Sequence, residues 1–299
     1  MAWLTIIVYL SLFVSSNGVL DDLPNLYDVA ANLGCDRFLK LTEDAGMAGI
    51  LNGTGPMTVF APTNNAIQSL PRDVLARLSS DKDLLKAVLS YHFTTDVFNS
   101  TTSINEMLIP SEQGANIRIN AYPQQNDIVI TASGGEIILK NVQAKNGVLQ
   151  VISKVMFPLP NGTIFELVNN DLHLSTLFLT IIKASLGWTL SADPPLTLLA
   201  PTDGAFSNLP AGTLTTLLND IPKLTDLLLF HVVGGTYYSA GLVNNTSVTA
   251  LNKGTLNIKI SPENNIFVND AMVTTADVSV TNGVVHYIDK VLIPPSFYH

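Results

Sequence analysis

Reactive side chains are sparse in this chain and do not fall at the spacings that catalytic or metal-binding sites use. The histidines and the single cysteine are His92, His173, His231, His286, His299 and Cys35. They show no His-x-x-x-His or Cys-His ligand spacing, and the chain has no Gly-x-Ser-x-Gly elbow, phosphate-binding glycine loop or dinucleotide fingerprint. A site assembled from distant residues would leave no such signature. The sequence otherwise predicts a protein that is not an enzyme, with no catalytic residues, no metal site and no cofactor.

The local motif with the clearest chemistry is the N-glycosylation acceptor Asn-x-Ser/Thr. It occurs at Asn52, Asn99, Asn161, Asn244 and Asn245. Each of these asparagines lies among Gly, Pro, Ser, Thr or Asn residues between apolar segments, where a hydrated glycan can be accommodated. We expect the five positions to be exposed acceptors, with chance occurrence of a three-residue motif as the alternative.

The first 18 residues are predicted to be a secretory signal peptide. An apolar run from Trp3 to Val14 is too short to span a bilayer, and small residues follow it up to Gly18. No lysine or arginine precedes the run, which leaves an uncleaved N-terminal anchor as the alternative. Because no later segment reaches membrane-spanning length, we expect a protein secreted to the extracellular space or matrix, without membrane insertion.

The charge balance argues against nucleic acid as a partner. The chain has 24 acidic and 15 basic residues, a formal net charge of −9. A polyphosphate would be repelled by such a surface. The apolar fraction of 47% is instead typical of densely packed globular domains.

Cys35 is the only cysteine, so the chain can form no internal disulfide bond. An unpaired thiol in an exported protein is either buried or linked to a second molecule. Its surroundings, Leu33 to Leu39, resemble a junction between two amphipathic helices. We therefore favour burial, because free cysteine is among the most buried residue types.

The chain repeats itself. The segment 58–71, TVFAPTNNAIQSLP, returns 139 residues later as TLLAPTDGAFSNLP at 197–210, with 7 of 14 positions identical. The segment 146–158, NGVLQVISKVMFP, likewise returns 136 residues later as NGVVHYIDKVLIP at 282–294. A period this long indicates a duplicated globular domain rather than a solenoid unit. We predict a first domain at 22–158 and a second at 161–296.

Each half is predicted to begin with helices and end with strands. Apolar residues recur at helical spacing from Phe38 to Leu51 and from Ile164 to Leu186. Thr63 and Thr202 follow a proline that closes a short strand, and their hydroxyls are suited to cap the next helix. Period-two segments fill the last third of each half, where Asn-Gly at 146–147 and 282–283 predicts hairpins with type I′ turns.

The paired blocks described above resemble the two signature segments of the fasciclin domain. They stand in the right order, and Tyr91-His92 and Phe230-His231 match the Tyr-His pair that the family carries between them. The resemblance covers the chain from about Leu23 to Pro295. It implies an α/β (α+β) fold of two tandem fasciclin-like domains, each a β-sandwich or wedge of strands with helices packed against it.

The resemblance also implies adhesion sites and partners. Its receptor-contact candidates are Tyr91, His92, Phe230, His231, Asp277 and Val278; the first domain has Asn141-Val142 where the second has the Asp-Val pair. The alternatives are a solvated strand residue at Asp277 and hydrogen-bonded core histidines at His92 and His231.

The implied function is that of a secreted cell-adhesion or extracellular-matrix protein that binds other proteins. Its partners would be a cell-surface receptor of the integrin type or matrix proteins such as collagen, and self-association is compatible with the same surfaces. The alternative is an extracellular binding module for a small apolar or carbohydrate ligand, held in a cleft between helices and sheet.

Overall fold

The computed structural model describes residues 23–102, 104–124, 127–192 and 194–298, so the predicted signal peptide lies outside the described residues. The first half contains the helices α1 Leu26–Asn32, α2 Asp36–Asp44, α3 Ala48–Leu51, α4 Asn64–Gln68, α5 Arg72–Ser80 and α6 Lys82–Tyr91. Its strands are β1 Met57–Pro62, β2 Phe93–Thr94, β3 Met107–Pro110, β4 Asn116–Pro123, β5 Ile128–Ala132, β6 Gly135–Ala144 and β7 Gly147–Ile152. A 3-10 turn spans Ser100–Thr102.

The second half repeats this element order. Its helices are α7 Ile164–Asn170, α8 Ser175–Lys183, α9 Gly187–Ser191, α10 Asp203–Ser207, α11 Thr213–Asn219 and α12 Ile221–Phe230. Its strands are β8 Leu196–Pro201, β9 Val232–Gly234, β10 Thr246–Thr249, β11 Thr255–Ile260, β12 Ile266–Val268, β13 Ala271–Val280 and β14 Gly283–Ile288. Further 3-10 turns span Leu172–Leu174, Ser239–Gly241 and Pro295–Tyr298.

Each half builds one seven-stranded sheet with the same connectivity. The strand orders are β2-β1-β7-β6-β5-β4-β3 and β10-β11-β12-β13-β14-β8-β9. The first strand pairs in parallel with the last, β1 with β7 and β8 with β14, and the remaining pairs are antiparallel. The strand that opens each half is therefore flanked by neighbours on both sides.

The opening strand separates two apolar layers. On β1, Val59 and Ala61 pack against the helices, whereas Phe60 between them packs against the inner faces of the outer strands. This alternation follows from the period of two along a strand. The result is a sheet that is curved over its own core and covered by helices on the other side, which confirms the predicted mixed α/β fold.

The predicted helix caps are present in both halves. The Thr63 hydroxyl accepts a hydrogen bond from Ala66 N at 3.1 Å, and the Thr202 hydroxyl accepts one from Ala205 N at 3.3 Å. Each threonine has extended backbone geometry and precedes its helix directly. The strand that leads into the cap is thus joined rigidly to the helix that follows it.

The Asn-Gly pairs join hairpins, but the predicted type I′ turn is wrong. The turn residues are Lys145 and Asn146, while Gly147 already begins β7, and Asn146 does not have the positive φ that a type I′ turn requires. A Cβ on Gly147 would lie 2.0 Å from the Met57 carbonyl oxygen of the neighbouring strand. Glycine is therefore required by the close approach of two strands.

The buried asparagine holds the first helix against the hairpin. Asn146 Oδ1 accepts a hydrogen bond from Leu26 N at 2.9 Å, and Asn146 Nδ2 donates to the carbonyls of Leu51 and Gly53. Asn282 makes the same three kinds of contact in the second half. Both copies use the amide as a clamp that satisfies backbone groups at helix ends.

Candidate functional site

The two halves contact each other through a junction rich in hydroxyl and charged groups. The Tyr122 hydroxyl on β4 donates to the Thr236 carbonyl at 2.8 Å and accepts from Tyr238 N at 3.0 Å. Its ring lies so close to the second half that a Cβ on Gly241 would meet it at 2.4 Å. The junction therefore has the close packing of a protein interior at this point.

A buried ion pair lies beside this tyrosine. Arg118 Nη1 donates to Glu106 Oε2 at 2.8 Å, and Arg118 Nη2 crosses the junction to the Thr281 carbonyl at 2.8 Å. Glu106 also accepts hydrogen bonds from the Thr236 amide and hydroxyl. Arg118 thus donates to the second half, Glu106 accepts from it, and the two charges also compensate each other.

Asp277, the proposed receptor contact, is buried in the same junction. Its carboxylate forms an ion pair with Lys154 of the first half and accepts hydrogen bonds from the amide, at 2.6 Å, and the hydroxyl of Ser239. Lys154 Nζ also donates to the Ser239 hydroxyl at 2.9 Å. The carboxylate therefore joins the two halves, and the interpretation of Asp277 as a solvated strand residue is wrong.

Burial would by itself raise the pKa of the Asp277 carboxyl. The Lys154 ammonium, His286 and the hydrogen bonds from Lys154 and Ser239 outweigh burial and hold that pKa below its usual value. Burial lowers the pKa of His286, against the opposing effect of Asp277. His286 Nδ1 accepts a hydrogen bond from Asp277 N at 3.2 Å, as a neutral imidazole can.

In the first half, the uncharged Asn141 takes the position that Asp277 has in the second half, and we call both residues the bulge clamp. Asn141 and Asp277 both have a positive φ, of 58° and 66°, next to an irregularity in the register of β6 and β13. Asn141 Oδ1 accepts from Ser100 N at 2.9 Å, and Asn141 N donates to Gln150, which stands where the second half has His286. An Asn or Asp at this bulge thus has a structural role in both halves.

The histidines of the Tyr-His and Phe-His pairs lie in the cores. His92 Nδ1 is 2.7 Å from the Val88 carbonyl, and His92 Nε2 accepts from Met156 N at 3.0 Å. His231 makes the equivalent contacts with Leu227 and Leu292. Burial lowers the pKa of each imidazole to about 4, so both are neutral near pH 7. The interpretation as hydrogen-bonded core histidines is confirmed.

The other members of the predicted site are also covered. Tyr91 and Phe230 are each 1% exposed, and Val278 is half-buried against the helical core of the second half. The six candidates therefore do not share one site: they are divided between the interiors of the two halves and the junction between them. Their role in receptor binding remains a prediction, and in this structure none of them forms an exposed receptor surface.

The five predicted glycosylation positions, by contrast, are all exposed: Asn52, Asn99, Asn161, Asn244 and Asn245. Their modification stays a prediction. Cys35 is 1% exposed, which confirms its predicted burial, and burial raises the pKa of its thiol to about 11. A thiol in this state is a poor nucleophile.

Two expected absences concern only the part of the chain that the structure describes. Within it, no group of three or more His, Cys, Asp or Glu residues could hold a metal ion. None of the described helices is long and apolar enough to cross a membrane.

A small void lies between the helices and the sheet of the second half. It measures about 10 Å³, which is no more than one water needs, and its lining includes Leu177, Ile181 and Leu198. Binding sites for small apolar or carbohydrate ligands usually exceed about 300 Å³. This void is therefore too small for such a ligand.

Sequence reasoning missed most of the junction. Lys154, Arg118, Tyr122 and Tyr238 were not among the predicted site residues, although all four connect the two halves. Their partners lie more than 100 residues away along the chain, so no local motif marks them. The one available sequence signal is the linker at 158–161, Pro-Leu-Pro-Asn, which is short and stiff and so favours halves that lie close together.

Two copies of one α/β domain, docked through a polar junction, define the class, which is a tandem-domain α/β protein. Comparison with known proteins gives the family. The fasciclin domain matches residues 33–158 and 172–294. The chain therefore belongs to the fasciclin domain family.

Several relatives align with both domains. The chain is similar to transforming growth factor-beta-induced protein ig-h3 of Sus scrofa, with 31% identity over 287 residues, covering 92% of this chain and 40% of the relative. It is also similar to periostin of Homo sapiens, with 28% identity over 275 residues, covering 91% of this chain and 32% of the relative. The chain thus spans less than half the length of these relatives.

Among solved structures, the chain matches one described as a FAS1 domain pair from the insect cell adhesion molecule fasciclin I. The match covers 89% of this chain and 99% of that one, with 20% sequence identity and a TM-score of 0.45.

Proposed function

We propose that this protein is a secreted cell-adhesion or extracellular-matrix protein that acts by binding other proteins and performs no catalysis. Membership of the fasciclin family supports this function. The proposed partners are a cell-surface receptor of the integrin type or a matrix protein such as collagen. Since the predicted receptor-contact residues are covered, the contact surface is expected elsewhere on the molecule.

The observation that carries the proposal is an exposed apolar surface on the second domain. Leu172, Leu179, Ile182 and Trp188 are 86%, 64%, 51% and 83% exposed. Leu179 and Ile182 stand three residues apart on α8 and therefore lie on one face of the helix. Exposed apolar side chains that share one helix face are typical of protein interaction sites.

The first domain provides an internal comparison. Burial follows the same order along α2 and α8, which begin 139 residues apart. At the positions of Leu179, Ile182 and Trp188 the first domain carries Lys40, Glu43 and Gly49. The fold therefore does not require apolar residues here, and their presence in one copy alone favours a binding role.

The test is attachment of cells, and binding of collagen, to the immobilised protein. The variant Leu179→Lys/Ile182→Glu installs the side chains that the first domain carries at these positions. Because both residues are more than half exposed, we expect a change in unfolding free energy within about 0.5 kcal/mol. We expect attachment to fall severalfold, with unfolding otherwise unchanged.

The matched control is Lys40→Ala/Glu43→Ala on the first domain, which should attach cells as the unmodified protein does. Attachment no better than to an albumin-coated surface would contradict the proposed function. Equal attachment by the Leu179→Lys/Ile182→Glu variant and the unmodified protein would be compatible with adhesion but would contradict the role of the α8 surface in it.

A further inference from the structure

A cavity of about 180 Å³ lies between the two domains. Its walls include Tyr91, Arg118 and Ser133 of the first domain and Tyr238, Ser279 and Thr281 of the second. Leu108, which is 45% exposed, and the exposed Gly114 also border it and give it an opening to the surface. Since a water molecule occupies about 30 Å³ in the liquid, the space suits several waters or one small organic ligand.

Arg118, in the wall of the cavity, has N–H groups that make no hydrogen bond to the described residues. A guanidinium carries five N–H groups. Among the described residues, Arg118 uses one of them on Glu106 and one on Thr281, each at 2.8 Å. The Arg118 side chain is only 8% exposed. Arg118 is the charged residue of the cavity lining, so its remaining N–H groups are the charged donors offered to a ligand there.

The hydroxyl hydrogens of the first-domain wall are all used in hydrogen bonds, whereas one on the second-domain wall is not. Tyr91 donates to the Asn116 carbonyl at 2.8 Å, which leaves the Ser133 hydroxyl to donate to Tyr91. Within the described part of the chain, the hydroxyls of Tyr238 and Ser279 bond only to each other, at 2.9 Å. Two hydroxyls carry two hydrogens and their mutual bond uses one, so one O–H donor remains on this wall.

We propose that this cavity is a binding site for a small carboxylate, either a free anion or the side chain of an acidic residue on a partner protein. Arg118 can only donate, and one O–H donor remains on the opposite wall, whereas a carboxylate is an acceptor alone when ionised. A guanidinium edge matches the two oxygens of a carboxylate in spacing and direction.

The surrounding charge favours a monovalent ligand. Glu106 already compensates the charge of Arg118, and the chain as a whole carries −9. A phosphate or sulfate with two negative charges would be repelled by Glu106 and the net negative charge about twice as strongly as a carboxylate with one. A carboxylate binds mainly through the directed N–H and O–H donors. The ligand also contacts both domains, so its binding stabilises their docked arrangement.

The experiment is a protein-detected NMR titration of the whole chain with sodium acetate, with sodium chloride at matched ionic strength as the reference. A second arm uses an acetylated and amidated Gly-Asp-Gly peptide, whose only carboxylate is a side chain. We expect saturable shifts with acetate, the peptide or both, and none with chloride. Binding by the peptide alone would identify an acidic side chain as the source.

The decisive variant is Tyr238→Phe/Ser279→Ala. It removes both members of a hydroxyl pair, so it leaves neither partner orphaned, and we expect carboxylate binding to weaken about tenfold. Arg118→Lys keeps the charge but loses the fork and should weaken binding at least as much. Lys290→Met, in an exposed ion pair away from the cavity, is the control and should bind normally.

The proposal is overturned if neither probe binds saturably at tens of millimolar. It is equally overturned if binding is the same in the unmodified protein and in the Tyr238→Phe/Ser279→Ala variant. That second result would place the bound carboxylate elsewhere on the surface.

Discussion

Asp277→Asn tests whether the ion pair across the junction holds the two domains together. Asparagine is nearly the same shape as aspartate and tolerates the positive φ of 66° at this position. The first domain already carries Asn141 at the equivalent bulge, so the fold accommodates an amide here. The change therefore removes the charge that faces Lys154 and replaces one carboxylate oxygen by an NH2 group, while the other oxygen still accepts from Ser239 N.

The expected loss of unfolding free energy is about 2 kcal/mol. Breaking a fully buried ion pair costs about 3–5 kcal/mol, whereas an exposed pair contributes at most about 1 kcal/mol. The Asp277 side chain is 8% exposed, but the Lys154 side chain is 47% exposed and can be rehydrated. The expected loss therefore lies between the two limits.

The assay is a double-mutant cycle with Lys154→Met, measured by urea unfolding. We expect a coupling energy of about 1–2 kcal/mol between the two positions. The matched control is Lys290→Met, since Lys290 is the counterpart of Lys154 in the second domain but pairs with Asp270 in solvent. Its loss should cost less than about 0.5 kcal/mol. A coupling energy indistinguishable from zero would refute the reasoning.

Three further predictions concern the cores. The pKa values of His92 and His231 are about 4 in the folded protein and about 6.5 in the unfolded chain, so the unfolded chain binds more protons below pH 6.5. The free energy of unfolding should therefore fall by about 2 kcal/mol per histidine from pH 7 to pH 5. A urea midpoint that does not change over this pH range would contradict the prediction. Asn282→Ala should cost about 3 kcal/mol, because it leaves three backbone groups without their partner, two of them in buried hydrogen bonds. A loss under about 1 kcal/mol in urea unfolding would contradict the role of Asn282 in holding the helix ends. Cys35 should resist a thiol reagent until the protein is denatured, and rapid labelling of native protein would show that it is accessible.

Local sequence predicted the parts of the fold that depend on local geometry. The repeat identified two copies, and the caps at Thr63 and Thr202 follow from a hydroxyl three residues before an amide. The hairpins at the Asn-Gly pairs were also predicted correctly, although not their turn type. Asn146 and Asn282 are used for side-chain contacts with a helix more than 90 residues away, and no turn propensity encodes such contacts.

The candidate site could not be predicted in the same way. The sequence around Asp277 alternates as in a strand with exposed polar residues. Asp277 is a buried ion-pair partner only because the fold brings Lys154, 123 residues earlier in the chain, next to it. Burial of a charge is decided by which surfaces of two domains meet. The internal repeat does carry a usable signal, because Asn141 and Asp277 occupy equivalent positions and share the role of a bulge clamp.

The ion pair between Lys154 and Asp277 also makes the contact between the two domains directional. The first domain contributes a cation from the end of its last strand, and the second contributes an anion from its bulge. Two copies of the first domain alone would lack the anion, because Asn141 stands at the equivalent bulge. Lys290 repeats the cation on the far domain and stands half exposed. A further copy with an acidic bulge would have to displace Asp270 from Lys290, and an array of domains joined in this way would have a fixed polarity.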